Sequence, residues 1–183
     1  MYGMVNNAIE ELIRSQFGDE AWEKIKDEAD LDYEIFIRND PYPDKVTYDL
    51  VSAASRVLDV PAGDLLFAFG EYWVLETARR GYGDLMQAGG KNLPDFLTNL
   101  PSFHTRVVMI FPKLQPPTFS VTDRTDHSLQ VHYETNRPGL TLFAKGLLSG
   151  LAKMFKTDAK ITLVEEKEKG ADHDVFLVDW STQ

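Results

Sequence analysis

The sequence predicts an α+β fold, with a helical N-terminal half packed on a C-terminal half that carries a small, mainly antiparallel sheet and further helices. Three observations lead there. Apolar residues in the first half recur at helical spacing. From Phe111-Pro112-Lys113-Leu114-Gln115-Pro116-Pro117 onward, the texture changes to apolar and polar residues in alternation. The elements of that second half run strand, strand, helix, strand, strand, and helices followed by neighbouring strands make an α+β domain. With 183 residues, the chain can form one compact domain, or two small lobes around a shared core.

Val5, Ile9, Leu12, Ile13 and Phe17 set the first helix, and Gly18 stops it. Residues 21–29 give a second, short helix. Residues 32–45 are a linker, marked by the turn signals Asp40-Pro41 and Tyr42-Pro43. A third helix over 46–60 ends before Pro61, because a residue ahead of proline is driven out of the helical region. A fourth, rich in aromatics, covers 62–81. The stretch 92–111 carries Pro101, which has no backbone N–H to give to the preceding turn. It is expected to open a new helix there, with His104 one turn further on. Residues 118–123 and 128–135 alternate as strands, 139–156 is an amphipathic helix, and 160–180 is a hairpin with a charged turn. There is no internal repeat.

Composition excludes several functions. The net charge of −10 repels nucleic acid and anionic membrane, so neither is expected as a partner. Cysteine is absent, which removes disulfides, thiolate nucleophiles and iron–sulfur clusters. Metal chemistry therefore rests on His, carboxylates or Tyr. The start MYGMVNNAIEEL has no basic region followed by an apolar stretch, and no membrane-length apolar window exists, so a cytoplasmic location is expected. P-loop, GxGxxG, HExxH and GxSxG motifs are missing.

Two features remain unexplained by core packing alone. In Val131-His132-Tyr133-Glu134-Thr135-Asn136-Arg137, a strand would send Tyr133, Thr135 and Arg137 to one face. An exposed polar face accounts for this, and so does an anion site. A buried Arg needs an anion, no acidic residue on that strand face can serve, and an external carboxylate would. Of the four histidines, His127 and His173 fall in polar turns and read as solvated, and His132 points away from the trio. His104 instead lies in an apolar stripe with Leu97, Leu100, Val107 and Val108, where a satisfied core histidine and a metal ligand are both compatible with the spacing.

Taken with the start MYGMVNNAI, Ala68-Phe69-Gly70-Glu71-Tyr72-Trp73, the Phe-Pro-Lys-Leu-Gln-Pro-Pro link, residues 139–150 and Asp172-His173-Asp174-Val175-Phe176, these features resemble the haem-nitric-oxide/oxygen-binding (H-NOX) family. That family includes the haem domain of soluble guanylate cyclase. The resemblance covers nearly the whole chain, 1–183, as one domain with a distal helical lobe (1–60) and a proximal lobe (61–183). The family's Tyr-x-Ser-x-Arg signature matches Tyr133, Thr135 and Arg137, with Thr where the family has Ser.

The resemblance implies haem b buried between the two halves. His104 is implied as its only protein ligand, with Tyr133, Thr135 and Arg137 on the propionates and Pro117 pressing on the macrocycle. It places Val5, Trp73 and Phe143 on the open face. In oxygen-binding members a tyrosine stands at the Phe143 position. Phe143 cannot donate a hydrogen bond, so selectivity for NO, with CO as a second ligand, over O₂ is expected. The implied action is that of a stand-alone sensor, not an enzyme: NO releases His104, and a histidine kinase or a cyclic-nucleotide enzyme reads the change. Two rival readings are a haem-poor binding scaffold, to which Thr135 points, and a haem peroxidase or oxygenase, for which the pocket lacks acid–base groups.

Overall fold

The computed structural model describes residues 1–180; residues 181–183 of the expected domain lie outside the described part. Helix α1 (Gly3–Phe17) buries Met4, Ala8, Ile9, Leu12 and Ile13 along one stripe. Helix α2 (Asp19–Glu28) adds Trp22 and Ile25, and α3 (Asp44–Leu58) adds Val46, Leu50, Ala53 and Ala54. With Leu65 and Phe69 of α4 (Ala62–Tyr72) all of these but Met4, which packs with Tyr2 and Phe111, form one helical core. Full burial of a side chain such as Ile25 contributes roughly 1.5–3 kcal/mol. Phe17 departs from its expected place in the stripe: at the last residue of α1 it is 43% exposed.

Two helical expectations change. The fourth helix does not stop at Gly81. After α4 the chain widens into a π-helical segment (Trp73–Ala78) and continues as α5 (Arg79–Gln87), kinked at Tyr82. Pro101 does not start a helix either. It lies inside α6 (Leu93–Ile110), which Asn92 caps by accepting the Asp95 N–H. Proline removes one bond from the helix ladder. The apolar side chains flanking Pro101, Leu93, Phe96, Leu97 and Leu100 before it and Phe103 after it, all pack on one core. Burial there outweighs the local cost and keeps the helix continuous.

The sheet follows the expected order of elements. Strands β1 (Thr118–Thr122), β2 (Ser128–Glu134), β3 (Ala159–Glu165) and β4 (Asp174–Trp180) lie in the order β1-β2-β4-β3, every pair antiparallel. Helix α7 (Thr141–Met154) bridges β2 and β3. Alternation makes Leu129, Val131 and Tyr133 the inner face of β2. There they join Phe119, Phe176, Val178 and the α6 and α7 side chains in a second core. The strand ends at Glu134, so Thr135 and Arg137 lie just beyond it rather than on its face. No described helix is long and apolar enough to cross a membrane.

Candidate functional site

Between the helical core and the sheet core lies a cavity of about 380 Å³, in the size range of cofactor pockets. Val5, Trp73, His104, Pro117, Tyr133, Thr135, Arg137 and Phe143 all line it. They arrive from α1, the π-helical segment, α6, the loop before β1, β2 and the turn after it, and α7. Most of the remaining lining is apolar, including Leu100, Val107, Leu148 and Leu151.

His104 projects from α6 toward Phe119 of β1, ring centroids 5.5 Å apart, and Phe119 in turn packs on Tyr133 at 5.2 Å. Burial pushes the imidazole down to about 4, while the backbone of Pro117, the smaller effect, pulls the other way. His104 is therefore neutral at physiological pH. Its Nδ1 is sealed from solvent with no hydrogen-bond partner among the described residues, so the protein leaves one ring nitrogen unsatisfied. A neutral imidazole on an apolar wall is a competent ligand for a transition metal.

Polar groups gather at another part of the cavity. Burial pushes the Tyr133 phenol up to about 12, with the Thr135 hydroxyl opposing it, so the phenol remains a proton donor. Arg137 gives Nε–H to Asp44 Oδ2 at 2.7 Å and an Nη1–H to the Gln115 carbonyl at 2.7 Å. This corrects the expectation that only an external anion could partner Arg137. The acid comes from α3, on a different element, and the second guanidinium Nη has no protein partner among the described residues. Asp44 also takes a bond from the amino group of Met1 at 2.6 Å. Burial pushes the Asp44 carboxyl up; Met1 and Arg137 together outweigh that and hold it below the usual carboxylate range.

On the side facing α1 and α4, Phe143 stacks on Phe69 at 5.1 Å, and Phe69 meets Trp73 edge-on at 6.1 Å. The Trp73 indole makes no side-chain hydrogen bond among the described residues. His127 is exposed as expected. His173 differs from its expected solvated state, since its Nε2 lies 2.8 Å from His132 Nδ1. Sequence reasoning missed Asp44, Gln115, Phe69 and Phe119, because each is brought in by long-range packing and carries no local motif.

A family profile described as haem-NO-binding matches residues 2–163. The chain belongs to this H-NOX family. It is 29% identical to soluble guanylate cyclase gcy-32 of Caenorhabditis elegans over 193 aligned positions, which take in 98% of this chain and 28% of that protein. The chain thus spans about a quarter of the length of the curated relatives it matches.

Two solved structures extend the likeness. The unliganded Fe(II) H-NOX protein from K. algicida is 26% identical, with a TM-score of 0.88 over 100% of this chain and 98% of that one. The H-NOX from Shewanella woodyi in its Fe(II)CO state is 29% identical, with a TM-score of 0.83 over 99% and 95%. An H-NOX domain is a haem-binding gas-sensor module of the guanylate cyclase type and not a catalytic domain. The residues of the cavity fit that group, since an unspent neutral imidazole, an apolar slot and a cation with hydroxyls are what an iron porphyrin with two carboxylates requires.

Proposed function

We propose that the cavity holds haem b, with His104 as axial ligand and Tyr133, Thr135 and Arg137 on the propionates. The observation that carries this reading is the convergence on one cavity of eight side chains, spread from Val5 to Phe143 in sequence. When bound, the group supplies a ferrous iron with one position open to a diatomic gas. Arg137 keeps its remaining guanidinium N–H groups for a carboxylate, and the Tyr133 phenol keeps its proton for the same partner. Pro117 bounds the slot beside His104. In this reading residues 1–60 form the distal lobe and 61–183 the proximal lobe.

The site favours NO and CO over O₂. Bound O₂ draws electron density from iron and is stabilised by a distal donor, whereas NO needs none. Phe143 and Val5 present only carbon to that space. Of the three residues expected on the open face, Trp73 alone carries a donor. Release of His104 would free α6, and a signalling partner would read the change. The guanylate cyclase relatives support a cyclic-nucleotide enzyme as that partner, ahead of a histidine kinase of a two-component system. The haem-poor scaffold loses ground because Thr135 still meets the cavity beside Tyr133 and Arg137.

Absorption spectra of the purified ferrous protein supplied with haem test both parts. A strong Soret band is expected, shifting with NO to the five-coordinate form, with no stable complex in air. A protein that takes up no haem overturns the cofactor assignment. A long-lived oxy complex overturns the gas preference alone.

A further inference from the structure

We propose that His132 and His173 form a divalent-metal site on the outer face of the sheet, separate from the cavity and suited to a copper(II)-type ion. Neither residue lines the cavity. His132 leaves β2 on the face opposite Tyr133, and His173 stands immediately before β4, whose Val175 pairs with His132. The register therefore brings together two imidazoles that are 41 residues apart in sequence. Their rings meet end to end, with centroids 5.1 Å apart, planes at 45°, and His132 Nδ1 2.8 Å from His173 Nε2.

The tautomer of His132 follows from its other nitrogen. Nε2 lies 2.8 Å from Thr122 Oγ1, and that hydroxyl reaches the Asp123 carboxylate at 3.4 Å. In the arrangement where Thr122 gives its proton to Asp123, whose carboxylate only accepts, the hydroxyl receives the Nε2–H of His132. The lone pair of His132 is thereby left on Nδ1, facing His173. A ligating histidine is held in this way, with its second N–H donated to a fixed oxygen. The proton between the rings belongs to His173 Nε2. Moving it to Nδ1 of the same ring leaves two lone pairs face to face, and a turn of each ring directs both to one point on the solvent side.

The donors select the ion. Imidazole nitrogens with water completing a tetragonal set suit copper(II), which also stands above zinc in affinity for such donors. No group of three His or carboxylate side chains that could hold a metal ion exists among the described residues. Water completes the coordination, and the site is exchangeable rather than structural. The residues next in sequence, Tyr133 and Asp174, are themselves cross-strand partners. A bound ion thus clamps β2 to β4 directly behind the polar end of the cavity.

The test is titration of the untagged, ferric, haem-loaded protein with Cu²⁺, read by electron paramagnetic resonance and by competition with a chelating dye. One equivalent is expected, coupled to two nitrogens and bound more tightly than Zn²⁺. Affinity falls about tenfold or more in His132→Gln and in His173→Gln, and holds in His127→Gln. Should His132→Gln fail to fold, His173→Gln, outside any strand, carries the comparison. Equal uptake by wild type and His173→Gln, or an equal loss in His127→Gln, overturns the site; Zn²⁺ binding more tightly than Cu²⁺ overturns the choice of ion.

Discussion

Where α4 crosses α7, the two backbones touch; where α6 passes the cavity, it rests on side chains. At the crossing, a Cβ on Gly146 meets the Phe67 carbonyl oxygen at 2.1 Å, and one on Gly70 meets the Phe143 carbonyl oxygen at 2.3 Å. Glu71 fastens the same place, accepting from Ser149 at 2.6 Å and pairing with Lys153 at 2.5 Å. Helix α6 is anchored by Leu93, Phe96 and Leu97 at its start and by Phe111, packed with Tyr2 and Met4, just past its end, while from Pro101 to Ile110 its side chains are half-buried or exposed, Met109 at 77%. One wall of the cavity is fixed at its backbone and the other, which bears His104, is held through side chains. On the proposed function, the open face and the imidazole that would hold the iron sit on parts of unequal stiffness, and motion after release of His104 would be channelled into α6.

The largest effect is expected at the fixed wall. Gly146→Ala places a methyl group against the backbone of α4, which cannot yield as a side-chain tip can. A loss of about 3 kcal/mol is expected from denaturant unfolding, with haem retention falling alongside. Gly81→Ala, where an added Cβ meets nothing within 4 Å, should instead gain about 0.5–1 kcal/mol. If the two substitutions cost the same, the crossing is not the rigid part.

Much of this was readable in the sequence. The 3.6-residue spacing from Val5 to Ile13 and the two-residue spacing from Leu129 to Tyr133 each reflect a single buried face, and a single face is what a local pattern records. Tyr133, Thr135 and Arg137 were legible because they sit within five consecutive positions. Arg137–Asp44, 93 residues apart, was not, since no local pattern encodes which distant acid a fold delivers. Pro101 misled for the opposite reason. Its local rule is sound, but burial of Leu97, Leu100 and Phe103 on either side of it overrides the rule. The π-helical turn at Trp73–Ala78 has no breaker residue to announce it and follows the tight crossing at Gly70.

The loose wall has a pH signature of similar or smaller size. In the haem-free protein, burial holds His104 neutral down to about 4, while in the unfolded chain the ring takes its proton near 6.5. Between those values the unfolded state binds more protons, so stability is full above about 6.5, declines on acidification, and the loss is complete below about 4. The ceiling is about 3 kcal/mol. Melting curves of wild type and His104→Gln across that window check it: the variant should show the shallower acid slope, and identical slopes place the burial elsewhere.

The smallest expected effect concerns what loosens α6. Pro101 leaves the Leu97 carbonyl without its helical donor, and the Thr98 and Thr105 hydroxyls turn back onto the Pro94 and Pro101 carbonyls at 2.8 and 3.0 Å, a pattern that bends helices. Pro101→Ala restores the N–H at an exposed position, so nothing in the core has to move. A gain of about 1 kcal/mol is expected from one recovered backbone bond. On the proposed function, the stiffer helix also resists release of His104, and conversion of the NO complex to its five-coordinate form, followed by stopped-flow absorption, should slow. A gain in stability with unchanged conversion would mean that α6 moves as a rigid rod pivoting at its capped start, Asn92, and that the weak point of the wall is its packing rather than its proline.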